Sequence, residues 1–285
     1  MANSYLNIVT FLLTTLLYYY FLKPSLTLAI LNDPEQKKEY TSSSHMYLAI
    51  YLLLVMVIQF IVNSSIISST CGGNISENMG AAGIFTFLPW ILIFGVLVVI
   101  LTVYPGFKTA FSDVVGYYWI SGEANTVLTE LLIDPNIQKK INADSQLTTQ
   151  AQKDAMQSAA DAIIKICGNT SVIINQIFPS NFESYWTILN PLKKPEYQDD
   201  SKGVTAKLKE DLFRLVVTKD NVGESMWYTY TGLLLTALVQ LKITSRGCVS
   251  NPKTMEQNQQ KFLESEAAAK KQNNLATSTS YTITT

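Results

Sequence analysis

Apolar positions cluster into four long runs: Leu6 to Leu22, Tyr47 to Ile67, Ile84 to Tyr104 and Met226 to Leu241, none holding Asp, Glu, Lys, Arg or His. A helix needs roughly 20 such residues to cross about 30 Å of hydrocarbon, and inside lipid only a helix satisfies its own backbone. The first three runs, over about residues 6–22, 47–67 and 84–104, are therefore predicted to span a membrane. The fourth, extended to residues 226–248, is shorter and carries Thr229, Thr231, Thr236 and Gln240. Two readings fit it: a fourth span whose threonines return their hydroxyls to backbone carbonyls, or a tilted helix buried in a bundle.

Between the third and fourth runs the pattern changes period. Phe107, Phe111, Val114 and Tyr118 recur at helical spacing while Lys108, Ser112 and Asp113 occupy another face, which predicts a short amphipathic helix at a membrane exit. With Tyr104, Tyr117 and Trp119 beside it, this helix is expected to lie in the headgroup layer or, alternatively, to pack its rings into a soluble core. Pro105 and Gly106 fit the central positions of a type II turn. Ala155, Ala159, Ile163, Ile166 and Cys167 make one further helical stripe, and Leu208, Leu212, Leu215 and Val216 another. PSNFESYWTILNPLKKPEYQDDSKG, with its three prolines, reads as an extended loop, and alternation in SVIINQIF leaves room for a strand.

The expected architecture is mainly α: a multi-span helical membrane protein of three to four transmembrane helices, with a mostly helical soluble domain inserted before the last span. Residues 1–104 form the membrane region, 105–225 the soluble domain, 226–248 the fourth span and 249–285 a polar, partly disordered tail. Composition agrees, since 48% of the 285 residues are hydrophobic and only 15% charged. A cleaved signal peptide fits the first run poorly: no basic segment precedes it, and Tyr18, Tyr19 and Tyr20 before Lys23 and Pro24 do not resemble a small-residue cleavage site. A retained signal anchor is expected.

Charge sets the orientation. Lys23, Lys37 and Lys38 lie between the first two runs, whereas SSTCGGNISENMG between the second and third has no Lys or Arg. The positive-inside rule puts the first loop and residues 105–225 in the cytoplasm. Lys242, Arg246 and Lys253 weigh against carrying the C-terminus back across. If it does cross, Cys71 and Cys248 share the non-cytoplasmic side, as a disulfide or as two free thiols. Asn74 is the one sequon in a non-cytoplasmic loop and a candidate glycosylation site; Asn63 would lie inside the second span, and Asn169 in the soluble domain.

Chemistry is thinly represented. The single histidine, His45, sits in TSSSH before a span, where a solvated role is expected, and there is no CxxC, HExxH, phosphate-binding glycine loop or nucleophile elbow. Asp199 and Asp200 read as a solvated pair. No catalytic residue, cofactor or metal site is expected. Nucleic-acid binding has little support because residues 105–225 are slightly more acidic than basic. A channel or transporter is disfavoured by spans without ionisable groups.

Several motifs together resemble the multi-span minor capsid proteins of large icosahedral double-stranded DNA viruses of eukaryotes. CGG at 71–73, LPWILIFG at 88–95, YPGFKTAFSDVVGYYW at 104–119 and GESMWYTYTGLLLTALVQLKITSRGC at 223–248 carry the resemblance. Pro105, Gly106, Phe107, Lys108, Phe111, Ser112, Gly116 and Tyr117 match a first block, and Gly223, Trp227, Thr231, Gly232 and Cys248 a second. The family block usually has Trp at the place of Phe107 and Asn-Thr near Asp113 and Val114, and Gln240 and Lys242 also depart from it. The resemblance implies a non-enzymatic protein of the internal virion membrane, held in a host ER-derived membrane before assembly. Its partners would be the lipid bilayer and the major and other minor capsid proteins, with many copies in a lattice. The rival expectation is an accessory subunit of a large cellular membrane complex, for instance in a protist mitochondrion.

Overall fold

The computed structural model describes residues 5–71, 75–132, 169–200, 203–245 and 252–277. The chain is mainly helical, and no strand occurs among the described residues. Two helical stretches, Pro34–Thr70 and Met79–Val103, are long and apolar enough to cross a membrane, and Leu6–Leu22 is a shorter apolar helix.

Helix α1 (Leu6–Leu17) widens into a π turn at Tyr18–Leu22. After the short α2 (Leu28–Asn32), helix α3 (Pro34–Cys71) runs unbroken for 38 residues, about 57 Å. Its start is fixed by Asp33, whose carboxylate accepts from the Glu35 and Gln36 amides at 2.9 and 3.2 Å, with Pro34 at the first helical position. The second apolar run is thus part of a much longer helix. The predicted polar loop after it narrows too, because α4 (Ile75–Pro89) begins well before Ile84. Pro89 cannot donate a backbone bond, and the helix continues past it as a π turn, Trp90–Gly95, then α5 (Val96–Val103).

Beyond Tyr104 come a 3₁₀ turn (Pro105–Lys108), α6 (Thr109–Phe111), a π turn (Ser112–Gly116) and α7 (Tyr117–Leu131). The segment with room for a strand is helical instead, α8 (Thr170–Asn175). The expected extended loop holds α9 (Phe182–Ile188) and two 3₁₀ turns, because Phe182 and Trp186 at i, i+4 bury one face. Helix α10 (Gly203–Ser245) follows, 43 residues or about 65 Å, and α11 (Pro252–Thr277) ends the described chain with Phe262 and Leu263 exposed. The stripe from Ala155 to Cys167 lies outside the described residues.

Three apolar clusters stack along α10. Leu208, Leu212, Phe213, Leu215 and Val216 pack with α7, α8 and α9 in the first. Tyr228 and Leu235 join Phe11, Tyr18, Tyr51, Trp90 and Phe94 in the second, and Val239 and Ile243 join Val62, Ile66 and Ala82 in the third. The last two are the interior of a four-helix bundle of α1, α3, α4–α5 and the second half of α10.

Within its apolar interior the bundle also buries a set of polar side chains, and its outer surface is apolar. Asn7, Gln59, Asn63, Ser64, Thr86 and Thr236 are buried, while Leu13, Leu53, Ile61, Leu88, Ile91, Val99, Leu234 and Leu238 face outward. Asn7 Nδ2 donates to Asn63 Oδ1 at 2.9 Å and to Gln240 Oε1 at 3.2 Å, and Asn63 Nδ2 donates to Thr86 Oγ1 at 2.8 Å. One amide layer therefore joins all four helices, the arrangement that makes buried polar groups tolerable away from water.

Candidate functional site: the junction between bundle and domain

The two sequence blocks that stand more than a hundred residues apart meet face to face. Trp227 Nε1 donates to the Phe107 carbonyl at 2.9 Å, and Phe111 sits edge-on to Trp227 with ring centroids 4.9 Å apart. One turn further, a Cβ placed on Gly223 would lie 2.5 Å from Ser112 Cβ; a further turn on, a Cβ on Gly116 would lie 2.5 Å from the Lys219 carbonyl oxygen. As numbers rise along one segment they fall along the other, so residues 105–131 run antiparallel to α10. Small residues at the crossing let two backbones touch, the device also used between helices in lipid. Gly232 instead makes room for a side chain inside the bundle, where a Cβ would meet the Phe11 ring at 2.0 Å. Thr231 is half-buried on the adjacent position.

This geometry corrects two expectations. Gly106 does not take a positive φ: Pro105–Lys108 is a 3₁₀ turn, and a Cβ at Gly106 would have open space around it. Apart from Phe111 and Tyr117, the rings of the aromatic helix do not pack inward either, and its place in the headgroup layer stays an expectation. Its buried face is Ser112, Gly116, Ile120, Ala124 and Leu128, an i+4 stripe of small and aliphatic residues against α10. Phe107, Val114, Tyr118 and Trp119 are turned outward, Tyr118 with 80% and Trp119 with 73% of its surface exposed. Tyr104 is exposed and Tyr117 packs at the edge of the domain core.

Charges lock the junction, and sequence reading by itself did not pair them. Glu224, buried at the start of the apolar half of α10, receives Lys23 Nζ at 2.5 Å on one oxygen and Lys108 Nζ at 2.7 Å on the other. Tyr19 donates to the same carboxylate at 3.0 Å, and Lys108 also reaches Asp220 Oδ2 at 3.0 Å. Burial alone would raise the Glu224 pKa, but the two ammonium groups outweigh it and hold the carboxyl down to about 2. Burial works against the Lys108 charge as well, and its two carboxylate partners push its pKa up. The signal in the sequence was a lysine after each of two apolar runs and a glutamate just before another.

A second buried lysine ties the π turn to the domain. Lys219 Nζ donates to Asp113 Oδ1 at 3.1 Å and to the Ile174 carbonyl at 3.0 Å, while Asn175 Nδ2 donates to the Asp113 carbonyl at 3.1 Å. Burial pulls the Lys219 pKa down against the help of Asp113. On the far side of the domain Lys193 is buried with its ammonium 3.6 Å from the centre of the Trp186 ring. Asp200, expected to be merely solvated, pairs with Lys193 at 3.5 Å and accepts from Trp186 Nε1 at 2.9 Å. It is a structural partner.

His45 is exposed on α3, beside the junction. Cys71 ends α3, whereas Cys248 and Asn74 lie outside the described residues, so the disulfide and the glycan stay expectations. Asn63 is fully buried and hydrogen-bonded, and is closed to glycosylation in the folded chain. Comparison of the chain with known protein families, with curated proteins and with solved structures finds no match to any of them.

Proposed function

We propose that this protein is a non-enzymatic structural protein with four membrane spans that links the internal membrane of a large icosahedral virus to its capsid shell, as a minor capsid protein does. Support for four spans comes from the bundle's outward apolar surface. Leu234, Leu238 and Leu241 of α10 are exposed like the leucines of the other three helices, while the amide layer is shielded inside.

The observation that carries the linking role is α10 itself. One helix runs from the domain core into the bundle, and residues 105–131 are clasped along it by the Gly223–Ser112 and Gly116–Lys219 contacts. By that pairing Tyr118 and Trp119 stand opposite about residue 217, roughly 14 Å along the helix from Met226. The headgroup zone is only about 5 to 7 Å deep on each side. The aromatic face of Val114, Tyr118 and Trp119 is thereby held at a set height beyond the lipid, where a protein lattice would meet it. That the shell is viral rests on the resemblance of the two blocks, which are the segments clasped together here.

Crosslinking mass spectrometry on intact particles tests the reading. Crosslinks from exposed lysines of the domain, such as Lys207, to shell proteins are expected. Crosslinks to subunits of a respiratory or translocation complex instead would assign the protein to a cellular assembly, and solute flux in reconstituted liposomes to a channel or transporter.

A further inference from the structure

A cavity of about 180 Å³ lies at the junction, lined by the first half of α3, the middle of α10 and the chain at the ends of α1 and α5, with Pro179 on the domain side. Its charged lining is Lys23, Lys108, Asp220 and Glu224, so the formal charges sum to zero. Lys23 spends one of its three ammonium hydrogens on Glu224, and Lys108 spends two on Glu224 and Asp220, which leaves N–H donors on both. Asn221, half-buried on α10, adds an amide, and exposed His45 marks where the cavity reaches the surface. Leu48 and Leu101 continue the lining with apolar surface toward the bundle.

A simple anion in this cavity would meet two carboxylates, and a simple cation two ammonium groups. The four charges alternate in one paired chain, Lys23–Glu224–Lys108–Asp220, and a ligand carrying both signs extends it at both ends without leaving either unpaired. The depth is also specific: Leu22, Tyr104 and Met226 end or begin apolar runs beside the cavity, the level at which lipid headgroups sit.

We propose that the cavity holds the zwitterionic headgroup of one phospholipid bearing a primary amine, its phosphate on the spare donors of Lys23, Lys108 and Asn221 and its ammonium at Asp220. The glyceryl end then leaves past half-buried Leu48 and exposed Thr102 toward the acyl layer. The lipid would fill the seam between bundle and domain and brace it. This inference rests on the bundle crossing a bilayer and is independent of a viral shell.

The test uses the full chain, reconstituted in vesicles of phosphatidylethanolamine and phosphatidylcholine, extracted in mild detergent and measured by native mass spectrometry. About one phosphatidylethanolamine per chain is expected to survive delipidation. Asn221→Leu, which removes a donor, and Ser44→Trp, which fills the cavity from α3, should each lower retention by roughly tenfold with the melting profile of the delipidated chain preserved. Phosphoethanolamine and inorganic phosphate, offered free, should compete weakly; competition as strong as by lipid would identify a soluble ligand and overturn the lipid source. No retained lipid, or retention by both variants equal to that of the native chain, would overturn the site itself. Alkaline carbonate extraction separates the two layers of the claim: a chain released by carbonate fails the membrane reading, whereas an integral chain without lipid fails only this one.

Discussion

Gly223 and Ser112 touch backbone to backbone: a methyl group on the glycine would lie 2.5 Å from the serine Cβ and 2.8 Å from its Cα and amide nitrogen. Backbone atoms on both sides have no rotamer by which to yield. Gly223→Ala is expected to destabilise the junction by about 1 to 3 kcal/mol, and Gly223→Leu to separate the two helices. Gly106→Ala, where nothing lies within 4 Å, should be neutral or slightly stabilising. Thermal unfolding in detergent, compared across the three variants, checks the order.

Glu224 should be the most sensitive charge in the molecule. Glu224→Gln leaves Lys23 and Lys108 buried without their shared carboxylate and is expected to cost about 3 to 5 kcal/mol. Because the folded carboxyl titrates near 2 and an ordinary one near 4.5, its contribution is complete above about pH 5 and is lost as pH falls toward 2. A stability profile between pH 6 and 3 should slope downward in the native chain and less so in the variant.

Lys219 and Asp113 are predicted to behave unequally. Asp113→Ala strands a buried ammonium and should cost about 2 to 3 kcal/mol, reduced from the fully buried case because Asp113 is partly exposed. Lys219→Met keeps the stem, removes the charge and should be far milder. Since burial lowers the Lys219 pKa, the unfolded chain binds the proton more tightly, and Lys219 contributes a rise in stability with pH at alkaline pH that Lys219→Met abolishes. Denaturation at graded pH is the measurement.

The amide layer gives the fourth prediction. Asn63→Leu takes one acceptor from Asn7, leaving it Gln240, and the donor from Thr86, and is expected to cost about 0.6 to 2 kcal/mol in the bundle. The double variant with Asn7→Leu should cost less than the sum of the singles, because the two residues share one hydrogen bond. A double-mutant cycle on unfolding in bicelles reads the coupling.

Period and composition made the apolar helices legible, and Leu208, Leu212, Leu215 and Val216 are a core stripe as their spacing predicts. The face of the exit helix was misjudged for a physical reason. Aromatic rings dominate a hydrophobic count, yet the side that packs is Ser112, Gly116 and Ala124, whose value lies in their smallness. Likewise the loop around Trp186 folded because a cation–π contact with Lys193 and a hydrogen bond to Asp200 close it, partnerships between residues 7 and 14 positions apart that no periodicity reveals. The Lys23–Glu224–Lys108 cluster needs three distant stretches in one place, which only the assembled bundle supplies.

Because α10 is one continuous helix from the domain core into the bundle, no loop lies between the two on which they could hinge. Its outer portion, residues 203–225, is a lever roughly 34 Å long. A bundle that leans by about ten degrees would swing the lever's tip sideways by roughly 6 Å; in the proposed lattice role, neighbouring copies would then fan apart over a convex membrane and stay in step over a flat one. Under that proposal, local curvature would be written into the spacing of whatever these tips hold.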